Sequence, residues 1–270
     1  MSQPSIIAAT DLSGRSAHVA GRAARFAKTL GARLILAHVR QDEGPARFGR
    51  GRAKLSPADE LDALAQAHGA IPQLLTGDPA NALAALAAQE NAAVLVLGLH
   101  RERRVLDLIR LTTLERVVLA SPCPVVIAHQ KPDQEYTQVL ALTDFSPSSA
   151  RALATASLVA PDARFHAVHA LRLPIGAVFK PGSGETEAAL KAANALKKTF
   201  LAYPGLPILT EPPEIVPGGV HQILAFRRAE LDADLVCIGA NSHKDANALG
   251  NYARDLMRAP PTDLLVAKSV

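Results

Sequence analysis

Ile6–Ser13 reads IIAATDLS, four apolar residues followed by Thr-Asp-Leu-Ser. An unbroken apolar run of this length is typical of a buried strand in a parallel sheet. Ser13 stands where a helix N-cap belongs, and a helical pattern follows in which Ala20, Ala23 and Ala27 fall on one face. The stretch therefore predicts a strand that leads directly into a helix, as in a β-α-β unit.

The same stretch occurs a second time in the chain. Val139–Ser146 reads VLALTDFS and keeps the Thr-Asp-x-Ser motif. Three further segments recur in the same order: 33–39 matches 164–170, 93–98 matches 234–239, and 120–128 matches 259–267. Ordered matches of this kind predict two copies of one unit joined head to tail. Because the segment 130–138 between the copies is polar and turn-prone, we predict two domains, over residues 1–132 and 137–270.

Apolar strand patterns alternate with helical patterns along each copy. In the first copy the strands are predicted at 5–9, 33–39, 73–76, 93–98 and 125–128. Strands separated by helices pair in parallel through right-handed crossovers. We therefore predict an α/β fold of two tandem Rossmann-like domains, each a five-stranded doubly wound parallel sheet with helices on both faces. Such sheets bind ligands beyond the carboxyl ends of the strands at the switch point, which is expected near Asp11 and Gly98.

Composition narrows the classes of function. Apolar residues form 49% of the 270 residues, enough for a sizeable core, and no apolar run approaches the roughly 20 residues of a membrane span. The polar start of the chain has no signal-peptide pattern, and the two cysteines fall in different copies, so we expect a cytoplasmic protein. Residues 1–132 hold 16 Lys/Arg against 11 Asp/Glu and the rest 13 against 14, an imbalance too mild to favour nucleic acid as a partner.

A set of short motifs follows the predicted strands of the first copy. The motifs are Thr10-Asp11-x-Ser13, His38-Val39, Gly77-x-Pro79, Gly98 and the segment 121–125, SPCPV. In this array the sequence resembles the universal stress protein family, over nearly the whole first copy and more loosely over the second. The resemblance implies a role in stress survival. It also implies pairing of domains through their fifth strands, here residues 125–128 and 264–267.

The resemblance also implies a nucleotide pocket in the first copy. ATP-binding members of the family carry Gly-x-x-Gly, nine residues and then Gly-Ser/Thr, whose backbone amides hold phosphates. Here Arg101 replaces the second glycine and Leu111 the third. The corresponding loop of the second copy, which starts at Gly239, departs further. The pocket residues implied for the first copy are Asp11, Val39, Gly98, Arg101, Thr112 and Thr113. With this degraded loop no cofactor is expected, and ATP or AMP in the first copy is the alternative.

Most of these residues also have a structural interpretation. Thr112 and Glu115 form Thr-x-x-Glu, a helix capping box, and Asp11 suits a turn at a strand end. Arg101 could contact an anion or belong to a solvated basic loop. The sequence shows no set of metal ligands, no Walker motif and no Gly-x-Ser-x-Gly elbow, so we expect neither a metal site nor catalysis.

These observations predict a cytoplasmic tandem universal stress protein that acts as a non-enzymatic stress-response factor. Two alternatives stay open. One is an adenine-nucleotide binding protein or weak ATPase that uses the first copy. The other is a scaffold that binds a protein or nucleic acid through the basic loops. Because an apolar edge strand needs a partner, the two copies are expected to pair through their fifth strands, and whole chains could further form a homodimer.

Overall fold

The structure, a computed structural model, describes residues 3–13, 16–40, 56–99, 111–129, 134–172, 184–241 and 248–269. The chain divides into two compact units, Met1–Glu135 and Tyr136–Val270. Each unit contains a parallel five-stranded arrangement with helices between the strands. The predicted tandem α/β architecture is confirmed. Among the described residues, no helix has both the length and the hydrophobicity to cross a bilayer.

The first unit alternates strands and helices throughout. Its strands are β1 (Ser5–Ala9), β2 (Arg33–Arg40), β3 (Ile71–Thr76), β4 (Ala92–Gly98) and β5 (Val125–Ala128). Its helices are α1 (Ser16–Leu30), α2 (Pro57–Ala67), α3 (Pro79–Gln89) and α4 (Thr113–Ala120). The strand order is β3-β2-β1-β4-β5 and every pair is parallel. The order reverses between β1 and β4, which confirms the predicted switch point.

The second unit repeats this topology. Its strands are β6 (Gln138–Leu142), β7 (Arg164–Leu171), β8 (Glu214–Pro217), β9 (Leu235–Gly239) and β10 (Asp263–Ala267). Its helices are α5 (Pro147–Val159), α6 (Gly184–Leu201), α7 (Val220–Leu231) and α8 (Asn251–Arg258). The strand order is β8-β7-β6-β9-β10, again parallel throughout. The switch point lies between β6 and β9.

Small side chains let the first helix of each unit lie close to the sheet. In the first unit Ala20 and Ala23 of α1 are fully buried, and α1 contacts β1 and β4. In the second, Ala152, Leu153 and Ala156 of α5 are fully buried, and α5 contacts β9. Because helices cover the sheet faces, the central strands are apolar on both sides.

Local sequence sets the ends of the helices. Ser56 caps α2 by accepting a hydrogen bond from the Asp59 N–H at 3.2 Å. Ser146 caps α5, and its hydroxyl accepts from the Ser149 N–H at 3.2 Å. Past the C-terminus of α1, Gly31 has a φ of 58°, a left-handed conformation that ends helices and that glycine adopts without strain.

Candidate functional site

The carboxyl end of β1 is a tight turn held by hydrogen bonds. The Thr10 N–H donates to the Ala37 carbonyl oxygen of β2 at 2.9 Å, and Thr10 Oγ1 accepts from the Leu12 N–H at 2.9 Å. The Asp11 carboxylate accepts from the Ser13 N–H at 3.0 Å. Leu12 has a φ of 57°, and Asp11 is exposed to solvent. Asp11 therefore shapes the turn and lies beyond the ends of the strands. This position suits a turn residue and also a residue that lines a pocket.

The turn after β6 repeats these bonds one by one. The Thr143 N–H donates to the Val168 carbonyl oxygen at 2.9 Å, and Thr143 Oγ1 accepts from the Phe145 N–H at 2.8 Å. The Asp144 carboxylate accepts from the Ser146 N–H at 3.0 Å, and Phe145 has a φ of 60°. The Thr-Asp-x-Ser motif is thus a structural unit of both domains.

A histidine from the neighbouring strand fixes each turn. His38 Nδ1 lies 2.8 Å from the Thr10 carbonyl oxygen, and His169 Nδ1 lies 2.8 Å from the Thr143 carbonyl oxygen. Because a carbonyl oxygen only accepts, each histidine donates from Nδ1. The sequence motifs include His38 but predict neither of these bonds. The signal was present, since a histidine occupies the same place near the end of the second strand in both copies.

Gly98 ends β4 beside the first turn. A Cβ at this position would lie 3.0 Å from Val19 Cγ2, so glycine lets α1 approach the end of the strand. Val39, also half-buried, lies near the end of β2 and pairs with Leu75 of β3. Asp11, Val39 and Gly98 therefore all lie at the carboxyl edge of the first sheet, where the sequence placed them.

Thr112 begins α4 on the same side of the sheet. Its Oγ1 accepts from the Glu115 N–H at 3.2 Å, and the Glu115 carboxylate accepts from the Thr112 N–H at 2.7 Å. The predicted capping box is confirmed, and it uses the Thr112 amide within the helix end. Thr113 follows as the first residue of the helix. Arg101, the remaining residue of the implied pocket, lies outside the described residues.

An ion pair joins the starts of α3 and α4. Asp78 caps α3 by accepting from the Asn81 N–H at 3.2 Å, and Arg116 Nη2 donates to its carboxylate at 2.6 Å. The hydrogen bond from Arg116, aided by the Asn81 amide, lowers the pKa of Asp78. The equivalent helices of the second unit carry the opposite arrangement, in which His221 Nε2 of α7 lies 3.5 Å from Asp255 Oδ2 of α8.

The carboxyl edge of the second sheet is closed by its own chain. A Cβ on Gly239 would lie 2.5 Å from Ser148 Oγ and 2.9 Å from the Ser149 nitrogen, so α5 begins directly against the end of β9. The Ser148 hydroxyl donates to the Asn241 carbonyl oxygen at 3.1 Å. The Asn241 side-chain amide donates to the Ala248 carbonyl oxygen at 3.0 Å. These contacts fill the place where a ligand would meet the switch point.

Backbone groups after β9 are also used within the protein. The Ala240 N–H donates to the Ala267 carbonyl oxygen at 2.7 Å, and the Gly250 N–H, at the N-cap of α8, donates to the Ala240 carbonyl oxygen at 2.9 Å. Leu249, just before this cap, is 5% exposed, whereas Leu111, just before the Thr112 cap, is 39% exposed. The start of α8 is therefore packed inward and the start of α4 is more open.

An aromatic cluster extends the closure of the second unit. The Phe145 ring centroid lies 4.9 Å from that of His169 and 5.4 Å from that of Phe200 in α6. Phe145 is 2% exposed, while Leu12 at the same position of the first motif is half-buried. The carboxyl edges of the two sheets thus differ in the side chains that pack there and in the backbone hydrogen bonds at the helix starts.

The remaining ionisable groups do not form a metal centre within the described ranges, where no cluster of three or more His, Cys, Asp or Glu occurs. Burial raises the pKa of the Cys237 thiol, which keeps it neutral. Its sulfur lies 3.9 Å from the Leu140 carbonyl oxygen. Cys123 is likewise buried, and the Ser121 hydroxyl donates to its carbonyl oxygen at 2.8 Å.

This architecture defines a class of protein, a tandem pair of Rossmann-like α/β domains that each carry a Thr-Asp-x-Ser turn at the switch point. The model of the universal stress protein family matches residues 4–129 and again residues 135–268. The chain therefore belongs to the universal stress protein family. A sequence search of curated proteins found no significant match.

Solved structures of the same family share the fold over almost the whole chain. A universal stress protein of Pseudomonas aeruginosa UCBPP-PA14 is 17% identical, with a TM-score of 0.63 over 99% of this chain and 94% of that chain. One from Archaeoglobus fulgidus DSM 4304 is 18% identical, with a TM-score of 0.63 over 98% and 96%. Another universal stress protein, solved in complex with cAMP, is 25% identical over 48% of this chain and 98% of that chain, with a TM-score of 0.37.

Proposed function

We propose that this protein is a non-enzymatic stress-response factor of the cytoplasm whose second domain takes no nucleotide. The closed carboxyl edge of β9 carries the proposal. A phosphate bound at a helix start needs free backbone amides, and the Gly250 N–H already donates to the Ala240 carbonyl oxygen at 2.9 Å. Ser148 and Asn241, both 5% exposed or less, fill the remaining space. A nucleotide would have to break these contacts to enter.

The chemistry of the residues at hand supports a role without catalysis. Asp11 and Asp144 each accept a backbone amide and so serve their turns. The Cys237 thiol is buried and its pKa is raised, which disfavours the thiolate that nucleophilic catalysis requires. The sequence also lacks a Walker motif and a nucleophile elbow.

The second candidate function is weak binding of an adenine nucleotide by the first domain. It is favoured by the difference between the two edges, since Asp11 is exposed and Leu111 is 39% exposed where Leu249 is buried. The Thr112 amide is held by Glu115, so the phosphates would have fewer donors than in an intact glycine loop. Binding of this kind would rest mainly on the adenosine part of the nucleotide.

A titration of the ¹⁵N-labelled full-length protein with ATP, AMP and cAMP tests both candidates. We expect no shift of the amides of Gly239, Asn241 and Gly250 at millimolar nucleotide. If the first domain binds, the amides near Asp11 and Val39 shift alone. Saturable shifts in the second domain would overturn the proposal that it takes no nucleotide.

Two matched variants sharpen this titration. Asp11→Asn and Asp144→Asn each remove a charge while asparagine preserves the turn. Asp11→Asn should change nucleotide-induced shifts in the first domain, and Asp144→Asn should change none. An ATPase activity that co-purifies with the protein and is abolished by Asp11→Asn would overturn the non-enzymatic role.

We further propose that the two domains pair through β5 and β10. Each comes last in the strand order of its own unit, and the sequences VVIA and DLLVA are mostly apolar. An apolar edge strand with unpaired backbone groups invites another strand. In a tandem chain the second domain is available at high effective concentration, which favours pairing within the chain over pairing between chains.

A further inference from the structure

The first unit has a groove at the amino edge of its sheet, opposite the Asp11 turn. α1 and α2 both end there, and the space between their ends and the starts of β2 and β3 measures about 340 Å³. This volume is at the lower end of the range for small-molecule sites. The apolar lining consists of Ala24, Ala27, Ala32, Leu34 and Ile71. Ile71 is 43% exposed, so the groove offers apolar surface that a ligand could cover.

The polar lining of the groove consists of basic and neutral side chains, with Gln3 beside three basic residues. Lys28 lies in the last turn of α1, His68 is the C-cap of α2, and Arg33 begins β2. Arg33 donates to Glu90 at 3.0 Å, so its charge is partly balanced. None of the ten described residues that line the groove is acidic. Lys28 also lies at the carbonyl end of α1 and complements the partial negative charge there. The helix therefore stabilises the positive charge of Lys28 before any ligand binds.

The second unit covers the equivalent face with its own chain. Counted from the Thr-Asp-x-Ser motifs, Ser157 of α5 corresponds to Ala24 of α1. Ser157 Oγ lies 3.5 Å from the Gly205 carbonyl oxygen, and a Cβ on Gly205 would lie 3.9 Å from Ala154 Cβ. Gly205 belongs to residues 202–213, which join α6 to β8, whereas only residues 68–70 join α2 to β3. The groove of the first unit is open because its connection is short.

We propose that this groove is a binding site for a small amphipathic anion, such as an aromatic or branched-chain carboxylate. The apolar body lies over Ala27, Leu34 and Ile71, and its burial supplies the main driving force. The carboxylate meets the Lys28 ammonium and the His68 ring at the rim. The site is separate from the edge that carries Asp11, so it stands whether or not the first domain binds a nucleotide.

An NMR titration of the ¹⁵N-labelled full-length protein with 4-phenylbutyrate tests the proposal. We expect saturable shifts confined to amides around the groove, at Ala27, Leu34 and Ile71. The neutral analogue 4-phenylbutanamide keeps the apolar body, so it should shift the same amides with about fivefold weaker affinity. Equal affinity for the two compounds would remove the cationic part of the proposal, and shifts spread over both domains or absent would overturn it entirely.

Three variants complete the test. Lys28→Gln should weaken binding of 4-phenylbutyrate about fivefold and leave that of the amide unchanged, because only the anion uses the charge. Lys191→Gln, at an exposed position of α6, is the matched control and should bind as the wild type. Ala24→Leu narrows the groove with a good helix former and should abolish binding of both compounds. Melting curves establish that each variant is folded, and unchanged binding by folded Lys28→Gln and Ala24→Leu would refute the site.

Discussion

Two non-glycine residues enter the left-handed region at the strand-end turns, Leu12 with a φ of 57° and Phe145 with a φ of 60°. This conformation is unfavourable for residues with a Cβ, so the hydrogen bonds around it must hold it in place. His38 and His169 each contribute one such bond, to a threonine carbonyl oxygen. The turn that presents the aspartate thus depends on a side chain from another strand.

Replacing these histidines should show how much each bond contributes. His38→Ala should lower the free energy of unfolding by about 1 kcal/mol, the usual contribution of one hydrogen bond. His169→Ala should cost a further ~0.5–1.5 kcal/mol because His169 also stacks on Phe145 at 4.9 Å. Urea unfolding followed through amide signals of each domain measures both. Equal losses would contradict the contribution of the ring contact.

The two strand-end glycines should differ in their tolerance of alanine. At Gly98 a Cβ meets a side-chain methyl of Val19 at 3.0 Å, which can move. At Gly239 it meets the Ser149 backbone nitrogen at 2.9 Å and Ser148 Oγ at 2.5 Å. Gly239→Ala should therefore destabilise by about 2–3 kcal/mol and Gly98→Ala by about 1 kcal/mol. Thermal unfolding of the two variants tests this order, and the reverse order would show that the helix start can retreat from β9.

Single residues were predictable where the contact is local and missed where it is not. The capping box of Thr112 and Glu115 spans three residues, so the sequence shows it directly. The bond from His38 to Thr10 joins residues 28 apart and requires the register in which Ala9 lies opposite Ala37. The contact of Ser148 with Gly239 spans a still longer stretch and depends on how α5 packs.

At the scale of elements, the helix pairs α3–α4 and α7–α8 each have a contact between a basic and an acidic side chain, with the two residue types on opposite helices. Asp78 on α3 binds Arg116 on α4, whereas His221 on α7 faces Asp255 on α8. β1, β4 and β5 were predicted well because each is almost entirely apolar. β3 begins at Ile71, two residues earlier than predicted, because Pro72 is tolerated in an edge strand.

The Asp78–Arg116 pair should give stability that depends on pH. Arg116 lowers the folded-state pKa of Asp78 below its unfolded value of about 3.9. The contribution is then fully present above that unfolded pKa and is lost as pH falls through the folded pKa. Because both side chains are partly exposed, Arg116→Gln should cost at most about 1 kcal/mol at pH 7. The difference from the wild type should shrink as the pH falls below the unfolded-state pKa of about 3.9, and a difference that stays constant there would show that Arg116 acts through packing.

Thr112 allows the capping role to be separated from a ligand role. Thr112→Ala removes the side-chain acceptor for the Glu115 N–H and should cost about 1 kcal/mol. Thr112→Ser keeps the cap and should be close to neutral. Unfolding curves report the cap, and nucleotide titrations of the same variants report the ligand. If Thr112→Ala keeps its stability but loses nucleotide-induced shifts, the hydroxyl serves a phosphate rather than the helix.

At the scale of the whole molecule, the repeat explains why the fold could be predicted while the difference between the domains could not. Ile6–Ser13 and Val139–Ser146 are nearly alike, and they specify the same turn and topology. The closure of the second edge depends on Leu249 turning inward and on the Gly250 amide reaching Ala240. Sequence spacing showed that the glycine loop is lost in the second copy. It did not show which groups of the protein fill the place of the ligand.

Hydrogen exchange can test the proposed pairing of β5 with β10. In a parallel sheet, alternate amides of an edge strand bond the neighbouring strand and the others point outward. If the two edges pair, the outward amides of Val125–Ala128 and Asp263–Ala267 should exchange slowly. The outward amides of the opposite edge strands, β3 and β8, serve as the control and should exchange quickly.

Protection that is unchanged on dilution would assign the pairing to one chain, and protection lost on dilution would assign it to a homodimer. Outward amides in β5 and β10 that exchange as fast as those of β3 and β8 would exclude the pairing.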